Sequence, residues 1–169
     1  MGGFFIKQLF MPKQMEESVL QIDLNKLKAI GIKGLILDLD NTVIKWNSDE
    51  LEEPLYHWFN LLHAHQFKIC FLSNNFSKRV SHIARLIDAA YVARAWKPFS
   101  GGFSTCLEKL NMPAKSVAVI GDQLFTDILG GNCAGIFTIL VKPLSHEEFI
   151  TTKMMRVVEN FVLKNQKKS

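Results

Sequence analysis

Asp38 and Asp40 stand one residue apart at the end of an apolar run, in the stretch GLILDLDNTVIKW. Further along, Ser73-Asn74-Asn75 follows KICFL, Lys97 comes shortly after YVARA, and Gly121-Asp122 follows VAVI, with Asp127 in the residues beyond. Each of these sets has an everyday reading when taken alone. Asp, Asn and Thr after a strand make Asx turns and helix caps, and an acid in the first turn of a helix suits the helix dipole. A hydroxyl with two amides is common loop chemistry, and a single Lys-Pro carries little information. Taken together they place several acids, a hydroxyl and a lysine around one crevice. Carboxylates this close do not all stay ionised in a partly dry cleft without a counter-ion. An all-oxygen ligand set favours a hard cation, and Mg²⁺ fits best because it keeps waters and phosphate oxygens in its shell. A metal accounts for the acids, and a phosphate accounts for the metal.

That convergence requires elements that end side by side. Short apolar runs at 34–39, 68–72, 90–94, 117–120 and 136–141 have strand length and are mostly β-branched or aromatic. Helical patterns near 54–66, 77–88, 100–111 and 125–134 lie between them, opened by Pro54, Ser77 and Ser100 and stopped by Asn111-Met112-Pro113 and Gly135. Alternation of this kind predicts a doubly wound α/β fold: a parallel, Rossmann-like sheet in a three-layer sandwich. Ligands of such sheets sit beyond the carboxyl ends of the strands, where every polar group above falls. Before the first run, residues 1–31 read as an apolar arm and a helix at 23–30 ended by Gly31; the core spans 32–143. Residues 144–169 read as a helix capped by Ser145 and Glu148, with a basic tail, so the whole is one domain with two appendages.

Composition narrows the function classes. A chain of 169 residues, 48% hydrophobic and 21% charged, suits one globular domain with a sizeable core. The net charge of +4 is a mild bias toward anionic partners, and without a basic stripe or a nucleic-acid motif it argues against nucleic acid. Cys70, Cys106 and Cys133 lie in apolar surroundings without metal-ligand spacing and read as reduced thiols of a cytosol-like compartment. No run approaches the roughly 20 apolar residues that span a bilayer, so the expected location is cytoplasmic, with room for peripheral contact at the inner face of the membrane.

With DLDNT at 38–42, Ser73, Lys97 and GDQLFTD at 121–127 in order, the chain resembles the haloacid dehalogenase (HAD) superfamily of phosphohydrolases. The resemblance implies that Asp38 is the nucleophile, forming an aspartyl-phosphate, and that Asp40 is the acid and base. It also implies a Mg²⁺ site made by Asp38, the Asp40 carbonyl and Asp122 with support from Asp127, while Ser73 and Lys97 hold phosphoryl oxygens. Asn74 and Arg94 are taken as further substrate-binding residues. Thr42 orders the loop.

The 32 residues between Asp40 and Ser73, and the interval from Ser73 to Lys97, leave no room for a large cap domain. The site is expected to be open, with at most a small flap at 43–53 in which Trp46 either meets the substrate or packs its hairpin. An open site needs water exclusion from a large substrate, a membrane surface or a neighbouring subunit. More closely, IDLNKLKAIGIKGLILDLDNTVIKWN, FLSNNFSKRV, VIGDQLFTDILGGN and ILVKPLS are similar to the YqeG-like branch of class III HAD phosphatases, which includes mitochondrial-type phosphatidylglycerophosphatases. The implied reaction is dephosphorylation of phosphatidylglycerophosphate, an anionic phospholipid. The alternatives are a soluble sugar phosphate, nucleotide or phosphoprotein substrate, and a non-catalytic adaptor; an oligomer is open. Lys78, Arg79 and Arg94, near strand ends, are read as surface residues or as ligands of a second phosphate.

Overall fold

A computed structural model describes residues 2–145 except 47, 49 and 76. Its elements in chain order are α1 (Gly2–Leu9), β1 (Gln14–Glu16), α2 (Leu24–Ala29), β2 (Gly34–Leu37), α3 (Glu53–Ala64), β3 (Lys68–Leu72), α4 (Ser77–Leu86), β4 (Ala90–Val92), α5 (Ser100–Leu110), β5 (Val117–Gly121), α6 (Leu129–Cys133) and β6 (Phe137–Val141). The strands form one parallel sheet in the order β1-β6-β5-β2-β3-β4. From β2 the chain steps outward to β3 and β4, then returns to lay β5 on the other side of β2. That reversal opens a crevice between β2 and β5 at their carboxyl ends. Asp38 and Asp122 are the first residues past those two ends.

The central strand is apolar throughout because both of its faces are covered. Successive side chains point to opposite faces. Leu35 and Leu37 join Phe59, Leu62, Phe71, Val80 and Ile83 in the core under α3 and α4, whereas Ile36 joins Cys70, Leu72, Phe103, Cys106 and Val119 under α5. α6 lies close to the sheet through Gly131, where an added Cβ would come within 2.4 Å of a Val119 methyl. These two cores are the outer interfaces of a three-layer sandwich, and they hold the strand ends rigid.

Two features of the arm before β2 differ from the expectation. Residues 2–9 form α1, and Gln14–Glu16 extends the sheet as an edge strand parallel to β6. QME has no apolar alternation to announce a strand; it becomes one because Lys13 N–H donates to the Thr138 carbonyl and the free edge of β6 supplies partners. The helix at 24–29 is present, capped by Asp23, whose side chain accepts from the N–H groups of Asn25 and Lys26. Gly31 follows with a φ of 87°, a conformation that favours glycine. Of the helix and basic tail expected over 144–169, all but residues 144 and 145 lie outside the described residues. Among the described residues no helix is long and apolar enough to cross a membrane.

Candidate active site

Residues 38–42 leave β2 as a tight turn. Asp38 N–H still bonds the Ile120 carbonyl, Asn41 takes a left-handed φ of 62°, and its N–H closes the turn onto the Ile44 carbonyl at 2.7 Å. The Asn41 side chain accepts from Trp46 N–H at 3.2 Å and from Ser145 Oγ at 2.6 Å. The DLDNT turn therefore does make the loop chemistry that Asn favours, and through it holds the two acids in place.

Lys97, brought in by the loop after β4, is buried and donates from Nζ to Asp38 Oδ1 at 2.5 Å and to Asp127 Oδ1 at 2.7 Å. Its backbone is held by Asn74, whose Oδ1 accepts Lys97 N–H at 2.7 Å. Asp127 comes from a π-helical turn, Leu124–Ile128, that leads into α6, and its Oδ2 accepts Gln123 N–H at 3.2 Å. Such turns recur at functional sites because they re-aim one side chain. Here the carboxylate lies over Gly121, where an added Cβ would be 2.3 Å from Asp127 Cγ. That contact is the physical reason for glycine in GDQLFTD.

Carboxylate oxygens of Asp38, Asp122 and Asp127 lie within 4.8 Å of one another. Three acids against one lysine leave an excess of negative charge in a mostly buried place. Burial, with Asp127 and Asp122 adding to it and Lys97 opposing it, pushes the Asp38 carboxyl up to about 8. Asp122 rises to about 6 through burial and Asp127, offset in part by the Thr42 hydroxyl donating to its Oδ1 at 3.1 Å. For Lys97 burial works against the charge, but Asp127 and Asp38 overcome it and hold the ammonium above its ordinary range. Asp38 Oδ2 is buried and has no hydrogen-bond donor among the described residues. A buried carboxylate oxygen without a donor, facing two more carboxylates, fits a divalent cation.

Asp40 is held differently. Its Oδ2 accepts from Asn75 Nδ2 at 2.5 Å, and its Oδ1 is 2.6 Å from Arg79 Nη2, a charge pair without the alignment of a hydrogen bond. Ser73 is buried, with its Oγ accepting Asn75 N–H at 3.1 Å. Asp38, Asp40, Ser73, Asn74 and Lys97 line one pocket of about 200 Å³, joined by Trp46, Asn75, Gln123 and Thr126. Arg94 sits on the β4–α5 loop, with a φ of 52° and its N–H on the Asn75 carbonyl, and is not among the described residues lining the pocket. Gln123 and Thr126 were not singled out as site residues from sequence, Asn75 was read only with the Ser73-Asn74-Asn75 loop, and Arg79 was read as a surface residue or a ligand of a second phosphate. Arg79 was visible only as a basic residue near a strand end, and nothing in its spacing points to Asp40.

A family model described as mitochondrial PGP phosphatase matches residues 4–87, and one described as HAD-hydrolase-like matches residues 95–148. The probable phosphatase YqeG of Bacillus subtilis (strain 168) is 34% identical over 158 residues, covering 94% of this chain and 92% of the relative. The chain belongs to the YqeG-like branch of the HAD phosphatases. This YqeG-like phosphatase is also similar to the chloroplastic phosphatidylglycerophosphate phosphatase 1 of Chlamydomonas reinhardtii, at 28% identity over 92% of this chain, and to the chloroplastic/mitochondrial one of Arabidopsis thaliana, at 29% over 94%. It spans 62% and 48% of the lengths of those two proteins. In fold it matches the cobalt-bound form of a deoxy-D-mannose-octulosonate 8-phosphate phosphatase from Haemophilus influenzae, with a TM-score of 0.54 at 12% identity over 69% of this chain and 81% of that one. An uncharacterized protein from Corynebacterium glutamicum also has a TM-score of 0.54, at 16% identity over 73% of this chain and 93% of that one.

Proposed function

We propose that the protein is a Mg²⁺-dependent phosphomonoester hydrolase that works through an aspartyl-phosphate on Asp38, and that its physiological substrate is phosphatidylglycerophosphate. The observation that carries the chemistry is the arrangement of Asp38: Lys97 holds one carboxylate oxygen, the other has no donor, and Asp40 stands apart in its own hydrogen-bonded setting. Two acids of one turn thus have environments suited to two roles. In the first step the Asp38 carboxylate attacks phosphorus and the ester P–O bond breaks, with the leaving oxygen taking a proton from Asp40. In the second, Asp40 takes a proton from water, whose oxygen attacks phosphorus while the Asp38–phosphate bond breaks. Ester and water become alcohol and phosphate, and both carboxyl groups are restored.

Lys97 and Ser73 hold the phosphoryl oxygens, and Lys97 lessens the repulsion between Asp38 and an incoming anion. Asp38, Asp122, Asp127 and the Asp40 carbonyl hold the cation, which when bound supplies the positive charge that three carboxylates and a phosphate lack. Mg²⁺ would suit the site better than larger ions, because few protein oxygens converge there. Asn74 acts on the phosphate indirectly, through the Lys97 backbone.

The lipid substrate is supported by the family model and the curated relatives, and is consistent with two exposed aromatic rings next to Lys97 in the chain. Trp96 and Phe99, on either side of Lys97-Pro98, are 75% and 73% exposed. Aromatic rings of this kind suit a lipid–water interface. The deciding experiment measures phosphate release from phosphatidylglycerophosphate in mixed micelles against a panel of soluble esters, with and without Mg²⁺. A higher kcat/KM on the lipid is expected; higher efficiency on a soluble ester refutes the assignment.

A further inference from the structure

We propose that Leu144 and Ser145, which follow β6 in the chain, are positioning residues for the catalytic turn: they hold Asn41, and through it set where Asp40 stands when a leaving oxygen needs its proton. The inference rests on Asp40 as the acid of the hydrolase reading above. Leu144 N–H donates to the Asn41 carbonyl at 2.9 Å, and Ser145 Oγ donates to Asn41 Oδ1 at 2.6 Å. The second bond joins residues 104 apart in sequence. β5 separates β6 from β2 in the sheet, so Lys142-Pro143-Leu144 carries the chain across the carboxyl end of β5 to the turn that follows β2.

Asn41 is the joint of that turn. Its φ of 62° is uncommon for a residue with a side chain, and such backbone persists where the surroundings over-determine it. Within the turn, Asn41 N–H reaches the Ile44 carbonyl and its Oδ1 accepts from Trp46 N–H. Leu144 and Ser145 supply the partners that come from outside the turn. Asn41 is buried, so water is a poor substitute for either. On one side of it stands Asp40, whose Oδ2 accepts from Asn75; on the other stands Thr42, which donates to Asp122 Oδ1 at 3.1 Å. A rotation of the Asn41 peptide therefore moves the acid and strains the Thr42 contact together.

The two acids depend on different supports. Asp38 still belongs to the sheet, through its N–H on the Ile120 carbonyl. Asp40 is bridged only to Ile44 of the same turn, so its backbone is as fixed as the turn is. A general acid has to lie within hydrogen-bond reach of the leaving oxygen, and a small misplacement costs rate. The strap from β6 thus acts on the proton donor more than on the nucleophile. It also gives the stretch ILVKPLS a task beyond forming a strand, since β6 ends at Val141 and the residues after it reach the turn.

The test is the dependence of the loss on the leaving group. Ser145→Ala removes one hydrogen bond and biases the turn by no more than that bond is worth, so kcat/KM should fall about three- to tenfold. The fall is expected on the alkyl phosphate that wild type hydrolyses best, whether phosphatidylglycerophosphate or a soluble ester. It should nearly vanish on 2,4-dinitrophenyl phosphate, whose leaving group departs without a proton. Ser145→Thr keeps the hydroxyl and should recover most of the rate. Asn41→Gly adopts the left-handed turn without an Oδ1, so adding Ser145→Ala to it should cost nothing further. In the metal-free protein, amide exchange at Asn41 and Trp46 should quicken in Ser145→Ala while that of β3 stays as it was. Equal loss on both esters, an unchanged rate, unchanged exchange, or additive losses with Asn41→Gly would each overturn the proposal. A purely structural Ser145 would lower Tm and leave the alkyl-to-aryl ratio of kcat/KM intact. Should Asn41→Gly fail to fold, the two esters in Ser145→Ala and the rescue by Thr decide. Asp40→Asn keeps the two readings apart: equal loss on both esters there refutes Asp40 as the acid. A loss confined to the alkyl ester in Asp40→Asn but not in Ser145→Ala refutes the positioning role alone.

Discussion

Asp38→Asn should make the metal-free protein more stable while abolishing turnover. The unfolded chain ionises Asp38 near its ordinary value of 3.8, whereas the folded site pushes it up to about 8. Between those values the native state binds more protons than the unfolded state, so this group removes stability as pH rises. At about 1.4 kcal/mol per unit, the burden reaches up to roughly 4 kcal/mol at pH 7. Asparagine carries no charge, its oxygen still accepts from Lys97, and its amide donates where Asp38 Oδ2 has no donor and the Asp122 and Asp127 carboxylates lie near. For a chain of this size 1 kcal/mol is worth about 2–4 °C, so Tm should rise by up to roughly 10 °C. The assay is thermal unfolding in chelator from pH 4 to 8, read as the difference between D38N and wild type. That difference should be small near pH 4 and widen toward pH 8. Added Mg²⁺ should raise the Tm of wild type, more at pH 8 than at pH 6, and that of D38N less, since on the proposed reading D38N lacks one of the cation's carboxylates. A D38N protein no more stable than wild type at pH 8 without metal would refute the argument that crowded carboxylates strain this site.

Gly121→Ala places a methyl on the Asp127 carboxylate, so that side chain has to leave its place beside Lys97. The expected cost is about 1–3 kcal/mol in stability together with weaker Mg²⁺ binding, checked by unfolding and by metal titration of activity. Thr42→Val removes the hydroxyl that stabilises ionised Asp122, whose carboxyl already lies up at about 6. The acid limb of the Mg²⁺-dependent rate should move to higher pH and the rate should recover above neutrality; an unshifted limb would mean that Asp122 ionisation does not govern metal binding.

Much of the sheet was readable because burial imposes its own pattern. GLIL, KICFL and VAVIG are covered on both faces or nearly so, and a strand with no wet face has to be apolar without interruption. The edge strand Gln14–Glu16 was not readable, since two half-buried polar residues around an exposed Met15 show no buried apolar face and pair only with β6. Helix α6 was expected to start near 125, but its approach is a π-helical turn. That turn is shaped by the need to lay Asp127 against Gly121, a contact no local propensity encodes.

The amino-acid sequence by itself determined which side chains end the parallel strands, since apolar runs and the polar residues after them are local properties. Asp38, Asp40, Ser73 and Asp122 follow from that alone, whereas Lys97 and Asp127 lie further past β4 and β5 and gain their place from the ordered set of motifs. Only the tertiary structure decided how those groups divide into two environments: a crowded cluster of Asp38, Asp122 and Asp127 around Lys97, and a separate setting for Asp40 between Asn75 and Arg79. The reason is that pairing depends on distance, and the distance from β2 to the first turn of α4 is set by how helices and strands pack, not by the residues that lie between them.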